Sequence, residues 1–90
     1  MTTEEIQKKI LKILQQIAPE VKSDSIPSDQ PFRELLELDS MDFLHFVVGL
    51  NREFLVPIPE SDYRLLETLD QCVRYVEQKQ KAGTGIAKIL

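Results

Sequence analysis

Apolar residues recur at three- and four-residue spacing in three stretches of this 90-residue chain, and no segment is predicted to be a strand. This spacing places the apolar side chains on one side of a helix, so it constrains the chain to an all-α fold. The first helix is predicted over Thr3 to Ala18, followed by the helix-ending Pro19. Thr2 and Glu5 have the form of a capping box at its start. Its apolar stripe consists of Ile6, Ile10, Ile13, Leu14 and Ile17.

The second long helix is predicted to begin at Asp39-Ser40 and to end near Phe54, because Asp is a preferred N-cap residue. It is the most apolar helix of the chain, so we expect it to be central and covered on several sides. Its apolar stripe consists of Met41, Leu44, Val47 and Val48, widened by Phe43, Phe46, Leu50 and Phe54.

The last third of the chain predicts a short helix and a final long one. Residues 60–66 follow Pro59 and have room for one or two turns. Thr68 with Gln71 three residues later predicts the start of the final helix. We expect Ala82-Gly83-Thr84-Gly85 to break that helix, so that residues 1–82 form the domain and residues 83–90 a short, flexible tail. The inward residues of the final helix are expected to be Leu69, Cys72, Val73 and Val76.

A long connection joins the first two long helices, from Pro19 to about Asp39. Connections of this length are uncommon in compact domains unless they pack or function. We therefore expect it to lie ordered across the core, with a turn of helix near residues 32–36. Its apolar anchors are Ile26, Phe32, Leu35, Leu36 and Leu38. The predicted fold is a small four-helix bundle with three longer helices, one short helix and this ordered loop.

Size and composition exclude several classes of protein. A chain of this length buries only about 60–65% of its unfolded surface, which leaves little room for a deep catalytic cavity, so we do not expect an enzyme. The single cysteine, Cys72, excludes an internal disulfide and a multi-cysteine metal site and fits a reducing compartment. No apolar run is long enough for a membrane span and the first residues lack the features of a signal peptide, so the expected location is the cytoplasm.

Negative charge is concentrated in the middle of the chain. Residues 20–70 hold twelve acidic and four basic residues, a net charge of −8, whereas the whole chain carries −4. Such a segment repels phosphate backbones, so nucleic acid binding is not expected. It either attracts basic partner surfaces or is an ordinary solvated face.

Catalytic and metal-binding arrangements are not supported by the residue spacing. His45, the single histidine, lies five positions after Ser40 on the same predicted helix, which places the two side chains roughly 140° apart around the axis. They therefore do not form a nucleophile and base. Cys72 occupies an apolar helix position and is interpreted as a buried small hydrophobic residue.

The segment Leu38-Asp39-Ser40-Met41-Asp42 resembles the modification motif of acyl carrier proteins, in which a serine after an aspartate and before Leu or Met receives a phosphopantetheine arm. The surrounding loop and helices follow that family's order from about Ile6 to Val76. The resemblance implies a phosphopantetheine from coenzyme A attached to Ser40, with Asp39 and Met41 flanking it for recognition by a phosphopantetheinyl transferase. It also implies a monomer that presents thioester-bound acyl groups to acyl-activating and acyl-processing enzymes of a fatty-acid, lipid or polyketide-type pathway.

The chain departs from that family's pattern at several positions. Glu37 replaces the usual small residue or glycine shortly before the serine, and His45, Asn51 and Arg52 stand where fatty-acid carriers place glutamates. This favours a specialised carrier over the housekeeping one. The expected partner-binding residues are Asp42, His45, Arg52 and Glu53.

Other interpretations stay open at this stage. Ser40 or Asp39 can serve merely as an N-cap, and the chain can be an aminoacyl or peptidyl-type carrier or an unmodified helical interaction module. A small hydrolase that uses Ser40 is disfavoured because no base is positioned.

Overall fold

The computed structural model describes residues 2–20 and 26–89, apart from the side chains of residues 81–89. Its helices are α1 (Thr3–Ile17), the one-turn α2 (Phe32–Leu35), α3 (Ser40–Phe54), a 3-10 helix (Glu60–Leu65) and α4 (Leu69–Ile89). No strand lies within those ranges. The all-helical fold class, with three main helices and a short one, is confirmed.

The N-terminal caps form where the sequence predicts them. The N–H of Glu5 donates to Thr2 Oγ1 at 3.2 Å at the start of α1. At the start of α4 the N–H of Gln71 donates to Thr68 Oγ1, and Gln71 Oε1 accepts in return from the N–H of Thr68. Each cap satisfies backbone donors that the helix itself leaves unpaired, so the residue types alone locate the helix starts.

The core lies where α1 packs against α3 and α4. Phe46 of α3 is fully buried and meets the ring of Phe32 edge-to-face, with 5.0 Å between ring centroids. Gly49 allows the close approach of α1, because a Cβ there would lie 2.7 Å from Ile13 Cγ2. The fully buried large side chains are Phe32, Phe46, Ile6, Ile10, Leu14, Leu50, Leu66, Leu69, Val76 and Cys72.

The loop before α3 is anchored through Ile26, Phe32 and Leu38, all of which are buried as expected. Residues 21–25 of the predicted connection lie outside the described residues. Leu35 was expected to be an anchor as well, but it is 47% exposed. α2 is a single turn at the surface that buries Phe32 completely, and this leaves Leu35 at its edge.

The expectation that α3 is covered on several sides is wrong. One face of α3 is buried in the core, but Met41, Leu44 and Val48 on the other face are 66%, 48% and 47% exposed. These three side chains stay open to solvent over about half or more of their surface, because a domain of this size builds one core and has no second layer to cover the other face.

The predicted break in the last helix is also wrong, because α4 continues through Ala82-Gly83-Thr84-Gly85 to Ile89. A glycine inside a helix costs about 1 kcal/mol relative to alanine, which weakens a helix without forbidding it. The separate flexible tail at residues 83–90 depends on side chains outside the described set and stays a prediction.

None of the described helices combines the length and the apolarity that crossing a bilayer requires.

Glu37 ends the short α2 in a conformation that normally belongs to glycine. Its φ is 53°, in the left-handed region, and its N–H donates to the carbonyl of Glu34 while the N–H of Leu38 donates to that of Arg33. These two bonds form a Schellman motif, in which glycine usually occupies the left-handed position. Glu37 therefore carries backbone strain directly before the segment Leu38 to Asp42.

Replacing Glu37 by glycine should stabilise the domain by about 0.5–1 kcal/mol, because glycine adopts a positive φ without the steric cost that a side chain incurs. Urea denaturation of the two proteins measures this difference. Glu34→Gly, which places glycine at a helical position of the same turn, should instead lower the free energy of unfolding. A loss of stability in Glu37→Gly would contradict the strain at this position.

Candidate functional site

Ser40 is the exposed first residue of α3, and its hydroxyl takes no part in the helix cap. The cap belongs to its neighbours: Asp39 Oδ1 accepts from the N–H of Asp42 at 2.8 Å, and Asp42 Oδ2 accepts from the N–H of Asp39 at 3.4 Å. Asp39 is therefore the N-cap, whereas Ser40 is not. The hydroxyl stays accessible beside the unpaired N–H groups and the positive end of the helix dipole, where an attached anion is favoured.

Arg33 reaches Ser40 from α2. Its Nη2 donates to Ser40 Oγ at 3.3 Å, and its Nε donates to the carbonyl of Leu38 at 3.4 Å. The guanidinium also lies 5.1 Å from the centre of the Phe43 ring. Arg33 was not predicted from the sequence, because no periodicity or motif ties a residue seven positions away to Ser40.

A groove of about 740 Å³ lies next to this site, between α2, the first turn of α3 and the 3-10 helix. Phe43 and Tyr63 contribute an aromatic wall, with their rings edge-to-face and 5.7 Å between centroids. Arg33, Asp39 and Arg64 are among its polar lining residues. An exposed hydroxyl, a helix N-terminus, a guanidinium and a partly apolar groove fit a phosphodiester that leads into a flexible arm.

The four predicted partner-binding residues do not share one environment. Asp42 is half-buried and occupied in the α3 cap, whereas His45 and Arg52 are exposed and line a second groove of about 570 Å³ between α1 and α3. Glu53 lines the same groove and pairs with Lys9, with 3.2 Å between Nζ and Oε1. The described residues that line this α1–α3 groove differ from those that line the groove beside Ser40, so His45 and Ser40 lie next to different grooves.

The exposed side of α3 carries a stripe that is apolar and cationic. We define the α3 stripe as Met41, Leu44, Val48 and Arg52, which lie three and four residues apart and so share one side of the helix. His45 lies beside it, and Lys12 lines the adjacent α1–α3 groove. The stripe itself contains no acidic residue.

Reactive and metal-binding groups offer no second site within the described part of the chain. Cys72 is fully buried, and its burial raises the pKa of the thiol above the ordinary range, so the thiol stays protonated and unreactive. Among the described residues no group of three or more His, Cys, Asp or Glu side chains is placed to hold a metal ion.

Comparison with known proteins agrees with the geometry around Ser40. A family model for the phosphopantetheine attachment site matches residues 8–76. The acyl carrier protein of Lactobacillus johnsonii is 34% identical over 80 residues, which cover 89% of this chain and 99% of that protein. The chain belongs to the acyl carrier protein family.

The chain is also similar to further members of the acyl carrier protein family. The acyl carrier protein of Buchnera aphidicola is 29% identical over 76 residues, 84% of this chain and 95% of that protein. A solved structure of the acyl carrier protein from Enterococcus faecalis, with 28% identity, superposes with a TM-score of 0.74 over 88% of this chain and 99% of that one. Acyl carrier proteins are carriers without catalysis of their own, which confirms that the chain is not an enzyme, and phosphopantetheine is confirmed as the cofactor.

Proposed function

We propose that this chain carries an acyl group as a thioester on a phosphopantetheine arm attached to Ser40. The observation that carries this proposal is the exposed Ser40 hydroxyl at the start of α3, which the capping box of Asp39 and Asp42 leaves unused. The match of residues 8–76 to the attachment-site family supports it. Phosphopantetheine supplies a thiol on a long flexible arm, whereas the chain supplies the attachment point and the surface that partner enzymes bind.

Attachment requires a nucleophilic oxygen that a phosphopantetheinyl transferase can reach. In this step Ser40 Oγ forms a bond to the phosphorus of the pantetheine phosphate, the bond from that phosphorus to the adenosine bisphosphate of coenzyme A breaks, and the hydroxyl proton passes to the transferase. Met41, 66% exposed, offers the transferase an apolar contact next to the reacting hydroxyl. Asp39 holds the first turn of α3 in place through its cap.

The proposal is tested by incubating the protein with coenzyme A and a broad-specificity transferase, followed by intact-mass measurement and peptide mapping. We expect a mass gain of one phosphopantetheine, located on the peptide that contains Ser40. No gain would favour an unmodified interaction module and reject the carrier. A gain on another residue would reject the assignment of Ser40.

We also propose that the carrier serves a dedicated fatty-acid, lipid or polyketide-type pathway through the α3 stripe. The stripe presents Met41, Leu44 and Val48 as apolar contacts and Arg52 as a cation. Glu53, the one acidic residue among the described lining of the neighbouring groove, is paired with Lys9. Such a surface complements a partner with apolar side chains ringed by carboxylates, whereas a stripe of glutamates complements a basic partner. A partner of the housekeeping carrier would therefore meet unfavourable charge here.

Charge reversal at the stripe should change partner choice. For an acyl-loading enzyme that naturally serves this carrier, Arg52→Glu should lower kcat/KM for loading by about three- to tenfold, because a charge at the rim of an interface mainly controls association. His45→Glu should act in the same direction. Loading rates with a panel of acyl- and aminoacyl-activating enzymes measure the effect.

Arg74→Glu makes the same charge change at an exposed position of α4 and serves as the control. Equal rates for Arg52→Glu and the unchanged protein across the panel would contradict a recognition role for the stripe. Loading by aminoacyl-activating enzymes alone would assign the chain to the aminoacyl-type carriers.

We further propose that the carrier acts as a monomer in the cytoplasm. The net charge of −4 opposes self-association. The single cysteine is buried as a free thiol, which fits a reducing compartment.

A further inference from the structure

We infer that Arg33 is a positioning residue for the prosthetic group, whose guanidinium holds the phosphodiester on Ser40. This inference rests on the proposed attachment at Ser40 and adds a residue that lies in another element. It assigns to Arg33 the anchoring of the first, charged part of the arm at the mouth of the groove between α2 and the 3-10 helix.

Three contacts hold the Arg33 side chain in place before any arm is attached. The 3.4 Å bond from its Nε to the Leu38 carbonyl and the packing of its guanidinium against Phe43 orient the group, and Nη2 points at Ser40 Oγ. Guanidinium has five N–H donors, and these contacts use two of them. Among the described residues the other three have no protein acceptor, so they stay available to a ligand.

The position of Nη2 suits a phosphodiester better than a hydroxyl. Nη2 lies 3.3 Å from Ser40 Oγ, a long distance for a hydrogen bond to a neutral oxygen. The free oxygens of an attached phosphodiester lie two bonds beyond Oγ and carry negative charge, so a rotation of Ser40 brings them to a guanidinium that already faces them. Bonds between guanidinium and phosphate are short, strong and well matched in geometry.

The negative charges around Ser40 favour a cation at this place. A new anion on Ser40 would lie beside the carboxylates of Asp39 and Asp42, and Glu37 is nearby on the loop. The helix N-terminus offsets part of that repulsion within the first turn of α3. Arg33 is the described cationic side chain that contacts Ser40, so its guanidinium is placed to offset the remaining repulsion from these carboxylates.

The test compares how much attachment of the arm changes the melting temperature in three proteins. Apo and holo forms of the unchanged protein, Arg33→Gln and Arg64→Gln are prepared, and holo formation is verified by intact mass. Arg64 lines the same groove without a hydrogen bond to Ser40, so its variant makes the same charge change and serves as the matched control. Subtracting apo from holo within each protein cancels effects of a substitution on folding alone.

We expect the holo-minus-apo shift to be about 2–4 °C lower in Arg33→Gln than in the unchanged protein, and unaltered in Arg64→Gln. The difference should shrink towards zero in 1 M salt, where charges are screened within about 3 Å. Equal shifts in the unchanged protein and Arg33→Gln overturn the inference, as do equal losses in the two variants. Failure of the protein to gain mass would instead refute the attachment itself.

A second measurement needs no variant and covers the case in which Arg33→Gln does not fold. In ¹H–¹⁵N spectra of the unchanged protein, conversion from apo to holo should shift the Nε–H signal of Arg33 more than that of Arg64. Equal or absent shifts of the two signals overturn the role of Arg33 even when intact mass shows complete attachment.

Discussion

Replacing Ser40 by alanine should abolish the mass gain from coenzyme A completely, because alanine has no oxygen that can bond to the phosphorus. The fold should be retained, since the cap of α3 depends on Asp39 and Asp42 and alanine is the best helix former. We expect the free energy of unfolding to change by no more than about 0.5 kcal/mol, the usual range for surface substitutions. Intact mass and urea denaturation on the same samples separate loss of attachment from loss of structure.

Ser61→Ala is the matched control for this variant. Ser61 is also exposed, follows an acidic residue and precedes Asp62, but it lies inside the 3-10 helix. We expect it to become holo at the unchanged rate, because a short acidic context is not enough without the start of α3. Equal mass gains in Ser40→Ala and the unchanged protein would contradict the assignment of Ser40.

Replacing Phe46 by alanine should lower the free energy of unfolding by about 3–5 kcal/mol, the range measured for deleting a buried aromatic side chain. Phe46 is fully buried and packs against Phe32, the residue that anchors the loop before α3. Its ring also lies near that of Phe43, which is on α3 as well. The variant therefore removes core volume and loosens the loop that carries Arg33 at once. For a domain of 60–100 residues each kcal/mol corresponds to about 4–8 °C, so the melting temperature should fall by more than 12 °C.

Leu44→Ala provides the comparison on the same helix. Leu44 is 48% exposed and belongs to the α3 stripe, so its truncation should cost less than about 1 kcal/mol of stability and act mainly on partner binding. Circular dichroism melts measure stability in both variants, and acyl loading measures binding in Leu44→Ala. Similar stability losses in the two variants would contradict the division of α3 into a buried and an exposed face.

The helix starts were predictable because they depend on neighbours in sequence. A cap at Thr2, Asp39 or Thr68 needs only a side-chain oxygen and an N–H three residues later, so residue types reveal it. The Asp39-Ser40 motif is equally local. The predicted break at the glycines near the end of α4 is wrong, because a helix that is already formed tolerates the modest cost of a glycine.

The sequence by itself therefore determined the all-α class, the starts of the three long helices and membership of the family. Only the tertiary structure decided which face of α3 stays exposed to solvent, that the backbone of Glu37 is strained, and which cationic side chain contacts Ser40. Periodicity shows that a helix has an apolar side without showing how much of that side its neighbours cover. The approach of Arg33 to Ser40 depends on the path of a loop held by Phe32 in the core, and long-range packing of this kind has no signature in the spacing of residues.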